Sequence, residues 1–113
     1  MLKFVTMFAV AMAFVAPARA QTELSAYADK NGYVNMNELT CAQLAHTFQE
    51  DANFLGVWYS GWYNGLAKKS SINIPRVKEG VHEVIVYCKA HQDKKIIEAI
   101  GTILEKEKER KGE

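Results

Sequence analysis

This chain has few cysteines, no clear excess of basic over acidic residues and no long apolar run, and each of these features excludes a class of protein. The 113 residues contain only two cysteines, Cys41 and Cys88, which lie far apart in the sequence. A catalytic dithiol normally has the spacing Cys-x-x-Cys, in which one thiol attacks and its neighbour resolves the intermediate. The sequence therefore predicts no thiol–disulfide oxidoreductase. The longest apolar run, residues 4–16, is shorter than the roughly 20 residues that a membrane-spanning helix needs.

The charge balance and the histidines exclude two further kinds of site. The chain has 14 Lys and Arg against 13 Asp and Glu, whereas a nucleic-acid-binding domain shows a clear basic excess on one face. The three histidines, His46, His82 and His91, are scattered and lack the spacing of a clustered Cys/His metal site. No residue pattern supports a hydrolytic triad either. The sequence predicts a protein that is not an enzyme, with no metal site and no cofactor.

The N-terminus has the pattern of an export signal. Lys3 supplies a positive start, residues 4–16 form the apolar segment, and Ala18-Arg19-Ala20 has the small residues of a cleavage site. We expect cleavage after Ala20 and a periplasmic location, with a retained N-terminal anchor as the alternative. Without Lys3 and Arg19 the chain keeps 12 basic residues against 13 acidic ones, so its net charge is near −1.

Export changes the interpretation of the cysteines. In an oxidising compartment, a single pair of cysteines usually forms a disulfide. The sequence therefore predicts a bond between Cys41 and Cys88 that closes a loop over half of the mature chain. For a loop of this length, the chain-entropy model gives a stabilisation of about 4 kcal/mol.

The periodicity predicts an all-α fold: a small four-helix domain joined by one disulfide. Residues 21–36 are polar without sustained periodicity and are interpreted as a flexible N-terminal arm, followed by a helical domain over residues 37–113. The predicted helices cover residues 41–48, about 53–66, from Pro75 past Cys88, and about 94–111. The valines of the third segment also suit a strand, but their spacing follows the helical period. The charged end of the fourth helix, residues 105–111, is expected to fray.

Several helix ends carry recognisable signals. Thr40 and Gln43 fit a capping box at the start of the first helix. Pro75 suits the first turn of the third helix, because its missing N–H would be unpaired there in any case. Asn64-Gly65 leaves open whether the second helix stops there or continues to Leu66.

The second helix contains most of the aromatic residues of the chain. At helical spacing its large apolar side chains form a broad stripe, which we call the aromatic stripe. Its members are Phe54, Trp58, Tyr59, Trp62, Tyr63 and Leu66. A core position is the simpler interpretation for most of them, but six aromatic residues between positions 48 and 63 exceed the needs of so small a core. Part of the stripe is therefore predicted to be a client-binding or dimer surface, with Gly61 and Gly65 opening a groove for close helix approach.

Three sequence blocks in order resemble the HdeA/HdeB family of periplasmic acid-stress chaperones. The blocks are Leu39-Thr40-Cys41-Ala42-Gln43-Leu44, Trp58-Tyr59-Ser60-Gly61-Trp62-Tyr63-Asn64-Gly65 and Tyr87-Cys88-Lys89. The resemblance implies a small four-helix protein, a disulfide between the first and third helices, a periplasmic location and a homodimer at neutral pH. It also implies that strong acid dissociates and partly unfolds the protein, which then holds other denaturing proteins in solution without ATP.

Two functions follow as expectations. The first is an acid-activated holdase, whose partners are acid-denatured periplasmic proteins. The alternative is a small periplasmic binding or inhibitor protein that acts in its folded state. The first works only in acid and on many clients, whereas the second works at neutral pH on one target.

Overall fold

The computed structural model describes residues 21–112 and consists of four α-helices after a short 3₁₀ helix. The 3₁₀ helix is Leu24–Tyr27, and the α-helices are α1 Cys41–His46, α2 Gln49–Leu66, α3 Ile74–Ala90 and α4 Ile96–Lys111. No strand occurs in the described part of the chain, which has two isolated bridges, Thr22–Thr47 and Thr40–Lys95. The all-α, disulfide-linked fold predicted from sequence is confirmed. The predicted signal peptide, residues 1–20, lies outside the described residues.

Local signals place the helix starts. At α1, the Thr40 hydroxyl accepts from the Gln43 N–H at 3.1 Å and the Gln43 side chain accepts from the Thr40 N–H at 2.9 Å, which confirms the capping box. At α3, the Asn73 side chain accepts from the Arg76 N–H at 3.0 Å and Pro75 lies in the first turn. Both caps satisfy backbone N–H groups that the first turn of a helix leaves free.

The helix bounds differ from the predicted ones at the fourth helix, which begins at Ile96 rather than about residue 94, and around the junction of the first two helices. The first helix ends at His46 rather than Phe48, and α2 begins at Gln49, four residues before the predicted start. Glu50 and Asp51 in the first turn of α2 favour this earlier start, because carboxylates stabilise the positive end of a helix. The second helix continues through Asn64-Gly65 to Leu66, and the turn that follows it is completed by Lys68 with φ of 56°.

The core is formed where α1, the first half of α2, the second half of α3 and the start of α4 meet. The most buried side chains are Leu39, Cys41, Leu44, Ala52, Leu55, Tyr59, Ile85, Cys88, Ile96 and Ala99. Burial raises the pKa of the Tyr59 hydroxyl, which stays protonated and donates a hydrogen bond to the carbonyl of Met36.

The segment predicted to be a loose arm, residues 21–36, packs on this core. Leu24, Tyr27, Val34 and Met36 contact the core residues. The Leu24 N–H donates to the Asp51 carboxylate at 2.9 Å, and the Thr22 N–H donates to the carbonyl of His46 at 2.8 Å. The segment has no helical or strand periodicity because these scattered anchors, rather than one continuous face, attach it to the helices.

Candidate functional site

The second helix has two apolar faces, and only one of them enters the core. On the inner face Ala52, Leu55 and Tyr59 are buried. Five other large apolar side chains are exposed, and we call them the outer α2 face. Its members and their exposed fractions are Phe54 64%, Val57 64%, Trp58 39%, Trp62 49% and Leu66 67%.

The structure divides the six residues of the aromatic stripe between these faces. Tyr59 is a core residue and Tyr63 is partly buried against the core, so neither belongs to an exposed surface. Phe54, Trp58, Trp62 and Leu66 are exposed. The sequence analysis missed Val57, because a single valine beside five aromatic residues adds little to a helical pattern.

The two indole rings form an apolar patch within the outer α2 face. Trp58 and Trp62 stack with ring centroids 5.5 Å apart and planes inclined by 16°. Trp58 also meets Tyr59 edge to face, with centroids 5.2 Å apart. Paired rings of this kind present a large apolar surface with little side-chain freedom to lose on binding. The patch is therefore suited to contact other apolar surfaces.

The glycines of α2 differ in what surrounds them within the chain. A Cβ atom placed on Gly61 or Gly65 would meet no atom within 4 Å, so these residues leave shallow, unfilled positions beside the outer α2 face. The close helix approach lies instead at Gly56, where a Cβ atom would lie 2.5 Å from Val81 Cγ2 on α3. The sequence analysis missed Gly56, since nothing in the pattern shows which glycine meets a neighbouring helix.

An apolar groove of about 950 Å³ opens between α2, α3 and α4, and its lining reaches the core residues Leu55, Ile85 and Ile96. Its walls include Tyr63 of α2, Val77 and Val81 of α3, and Ile100 and Ile103 of α4. This volume is in the range of ligand-binding pockets. The sequence analysis did not predict the groove, because it depends on how far α2 and α4 diverge across α3.

Charged side chains line the far end of the groove. Arg76 Nε of α3 lies 3.0 Å from Glu107 Oε1 of α4, and Lys111 Nζ lies 3.6 Å from the same oxygen. Arg110 Nη2 lies 3.7 Å from Glu83 Oε1. The hydrogen bond from Arg76, aided by the charges of Arg76 and Lys111, lowers the pKa of the Glu107 carboxyl from its ordinary value.

The disulfide joins α1 to α3 at the opposite end of the molecule from these charges. Cys41 and Cys88 are bonded and fully buried, with Cα atoms 4.5 Å apart and a sequence separation of 47. The loop that the bond closes contains the whole of α2. Both cysteines occupy the positions that the sequence analysis assigned to them.

The histidines are dispersed over the surface. His46 Nε2 lies 3.1 Å from Gln92 Oε1, and the His91 ring stacks on Tyr87 with centroids 4.0 Å apart. Among residues 21–112, no three His, Cys, Asp or Glu side chains come together as a metal site would require. Within the same residues, no helix combines the length and apolar character of a membrane span.

The comparisons with known proteins identify the family. The model of the HdeA/HdeB family matches residues 3–98, which include the disulfide, the outer α2 face and most of the groove. No curated protein and no solved structure gives a significant match. The match covers most of the chain, and it includes the three blocks on which the resemblance was based. The chain belongs to the HdeA/HdeB family, whose members are periplasmic acid-stress chaperones.

Proposed function

We propose that this protein is an acid-activated, ATP-independent holdase that binds denaturing periplasmic proteins through the outer α2 face. The observation that carries the proposal is the exposure of Phe54, Trp58 and Trp62 on one helix of a chain from a chaperone family. Aromatic side chains dominate the binding energy of many protein contacts. Because unfolded clients share exposed apolar side chains rather than a sequence, an apolar patch without a specific polar pattern suits them.

Acid supplies the trigger through charge. Near pH 2 most of the 13 carboxylates are protonated, since their ordinary pKa values lie near 4. The mature chain then carries 12 charged Lys and Arg, three charged His and its amino terminus, about +16 in total. Self-repulsion of this size favours expansion and separation of subunits. The same charge keeps complexes with bound clients in solution.

The outer α2 face is exposed in the single chain. An exposed apolar patch of this kind is typical of a surface that contacts a partner at neutral pH. We propose that this partner is a second copy, in a symmetric dimer that buries Trp58 and Trp62 at a self-complementary patch. The unfilled positions at Gly61 and Gly65 let the partner helix approach closely. Dissociation in acid then exposes the same face to clients, so that one surface serves both contacts.

The disulfide limits how far the protein opens. Cys41 and Cys88 lie in the core, and α2 lies within the loop that they close. Loss of packing in acid therefore cannot release α2 from the rest of the chain. The client-binding helix stays attached to a compact end of the molecule.

The test is an aggregation assay on a periplasmic extract at pH 2–3 and at pH 7, with and without the protein. The holdase reduces aggregation only in acid and on many proteins. Trp58→Ala and Trp62→Ala weaken this protection, whereas Tyr33→Ala, which removes an exposed aromatic ring outside α2, leaves it unchanged. Acid unfolding without any protection of clients contradicts the proposal. Action on one target at pH 7 favours the alternative of a folded binding or inhibitor protein.

Sedimentation at micromolar concentration tests the dimer separately. At pH 7 the protein is expected at twice the chain mass and at pH 2 at the single chain mass. Tryptophan emission is expected to shift to the red over the same pH range, as Trp58 and Trp62 lose the partner. A monomer at pH 7 contradicts the dimer and leaves the acid assay as an independent test of client binding.

A further inference from the structure

We infer that the C-terminal half of α4 is an acid-released strap, held along one wall of the apolar groove by ion pairs from Glu107 and Glu83 to arginines on the facing helices. The strap is residues 104–111. The role that we assign to the strap, which is to expose additional apolar surface in acid, rests on the proposed function. It goes beyond that function because it names a second surface, the groove, and the groups that control access to it.

The strap contacts α3 through polar groups. Glu107 pairs with Arg76 at 3.0 Å, and Arg110 pairs with Glu83 at 3.7 Å. Lys106 Nζ lies 5.7 Å from the centre of the Tyr87 ring. Lys106 and Glu107 are adjacent and Arg110 lies about one turn further along α4, and the three contacts connect α4 to three positions along α3. They hold the strap along the edge of the groove.

Apolar packing does not anchor the strap. The buried residues of α4 are Ile96 and Ala99, both in its first turn. Leu104 is 40% exposed, and no apolar side chain follows it. Exposed ion pairs contribute about 0.2–1 kcal/mol each. The strap is therefore held more weakly than the first turn of α4, where Ile96 and Ala99 are buried in the core.

In acid, the net charge around the groove becomes more positive. The carboxylates that face it or its smaller side cleft are Glu79, Glu83, Glu105 and Glu107, and the cations near them are Lys69, Arg76, Lys106, Lys108, Arg110 and Lys111. Protonation removes the negative charges and leaves six cations on α3, α4 and the loop between α2 and α3. Attraction between α3 and the strap then becomes repulsion.

The lowered pKa of Glu107 moves the loss of its ion pair to a lower pH. The hydrogen bond from Arg76 lowers that pKa. The stabilisation from Glu107 is therefore fully present above the ordinary glutamate value of about 4.3 and is lost as pH falls through the lowered value. The strap stays closed in mild acid and opens in strong acid.

The first experiment follows amide hydrogen exchange in the wild-type full chain from pH 7 to pH 2, expressed as protection factors. We expect residues 105–111 to lose protection at a higher pH than residues 41–46 of α1, since the strap is held by ion pairs, whereas α1 is held by the disulfide and by packing in the core. Loss of protection in both segments in one step, at one pH, would overturn the inference.

The second experiment removes the carboxylates at neutral pH. The double variant Glu83→Gln/Glu107→Gln is expected to raise exchange in residues 105–111 roughly fivefold, the effect of two exposed ion pairs, and to increase binding of an apolar fluorescent dye. Glu109→Gln is the matched control, because Glu109 lies on the same part of α4 and forms no ion pair among residues 21–112. Exchange in the double variant equal to that of the control would also overturn the inference.

Client protection, measured on the same samples, separates this inference from the proposed function. A strap that opens in acid while clients aggregate supports the strap and contradicts the holdase. If the protein protects clients in acid while the strap and α1 lose amide protection at the same pH, the result supports the holdase and contradicts the strap.

Discussion

The two ends of this molecule are held together by different interactions. At one end, around the disulfide, α1 and parts of the other three helices bury the residues of the core, including Leu55, Ile96 and both cysteines. At the other end, the second half of α2, the start of α3 and the strap surround an open groove, and ion pairs join α3 to α4. Apart from Tyr59, which packs in the core, no side chain of residues 58–80 or 104–111 is buried. Three of the four ion pairs among the described residues lie at this open end, and one, between Lys95 and Glu38, lies at the disulfide end. Because acid neutralises carboxylates and leaves the disulfide intact, we expect the open end to respond more strongly to acid.

This arrangement places the disulfide and most of the ion pairs in different parts of residues 21–112. A covalent bond and apolar packing do not depend on carboxylate protonation, whereas ion pairs at the surface do. A protein that must expose apolar surface in acid without losing its fold needs both parts. The following predictions test the division, beginning with the largest effect.

Removing the disulfide is expected to affect the protein most. Cys41→Ser should lower the free energy of unfolding at pH 7 by about 4 kcal/mol, because the unfolded chain regains the entropy of the closed loop. Urea unfolding followed by far-UV circular dichroism measures the change, and Cys88→Ser serves as the matched variant with the same expected loss. A loss below 1 kcal/mol would show that the compact end is held by packing alone.

Filling the close approach between α2 and α3 is expected to cost less. Gly56→Ala places a methyl group 2.5 Å from Val81 Cγ2, and overpacking of this kind costs roughly 1–3 kcal/mol. Gly80→Ala is the control on the facing helix, where a new Cβ atom meets nothing within 4 Å. Thermal unfolding of both variants measures the difference. If both are equally stable, α2 and α3 do not approach closely at Gly56.

Filling an open position on α2 is expected to have opposite effects on stability and on association. Gly61→Ala should stabilise the single chain by about 0.5–1 kcal/mol, because alanine loses less backbone entropy in a helix. The same methyl group should weaken the proposed dimer by obstructing the partner helix. Chemical unfolding at pH 2 reports the first effect and sedimentation at pH 7 the second. An unchanged dimer would place the interface elsewhere.

Removing one charge from the strap is expected to have the smallest effect. Glu107→Gln should lower the free energy of unfolding at pH 7 by a few tenths of a kcal/mol, as for an exposed ion pair. The difference from wild type should vanish at pH 2, because the wild-type carboxyl is then protonated too. Urea unfolding at both pH values measures it. A difference that persists at pH 2 would mean that Glu107 acts through packing and not through charge.

The sequence predicted the helices and the disulfide because both depend on local or covalent chemistry. The Thr40–Gln43 cap and Pro75 are local signals that tertiary contacts did not override. The bond between Cys41 and Cys88 followed from the export signal and the absence of other cysteines. The start of α2 was missed because its first residues, Gln49 and Glu50, carry no apolar pattern.

The position of each apolar residue of α2 was harder to predict. The aromatic stripe covers so wide an arc of the helix that periodicity could not separate Tyr59, which is buried, from Trp62, which is exposed. The N-terminal segment was interpreted as loose for a related reason. Its contacts, such as Leu24 with Asp51, join residues 27 positions apart and leave no local pattern.

The amino-acid sequence by itself determined the helical elements, the covalent link and the family, since each depends on residue types at fixed spacing. Only the tertiary structure decided which face of α2 is exposed, which glycine allows close packing, and where the apolar groove and its strap lie. The physical reason is that these features depend on how far apart α2 and α4 lie across α3. That distance results from many weak contacts between residues remote in sequence, and no single segment specifies it.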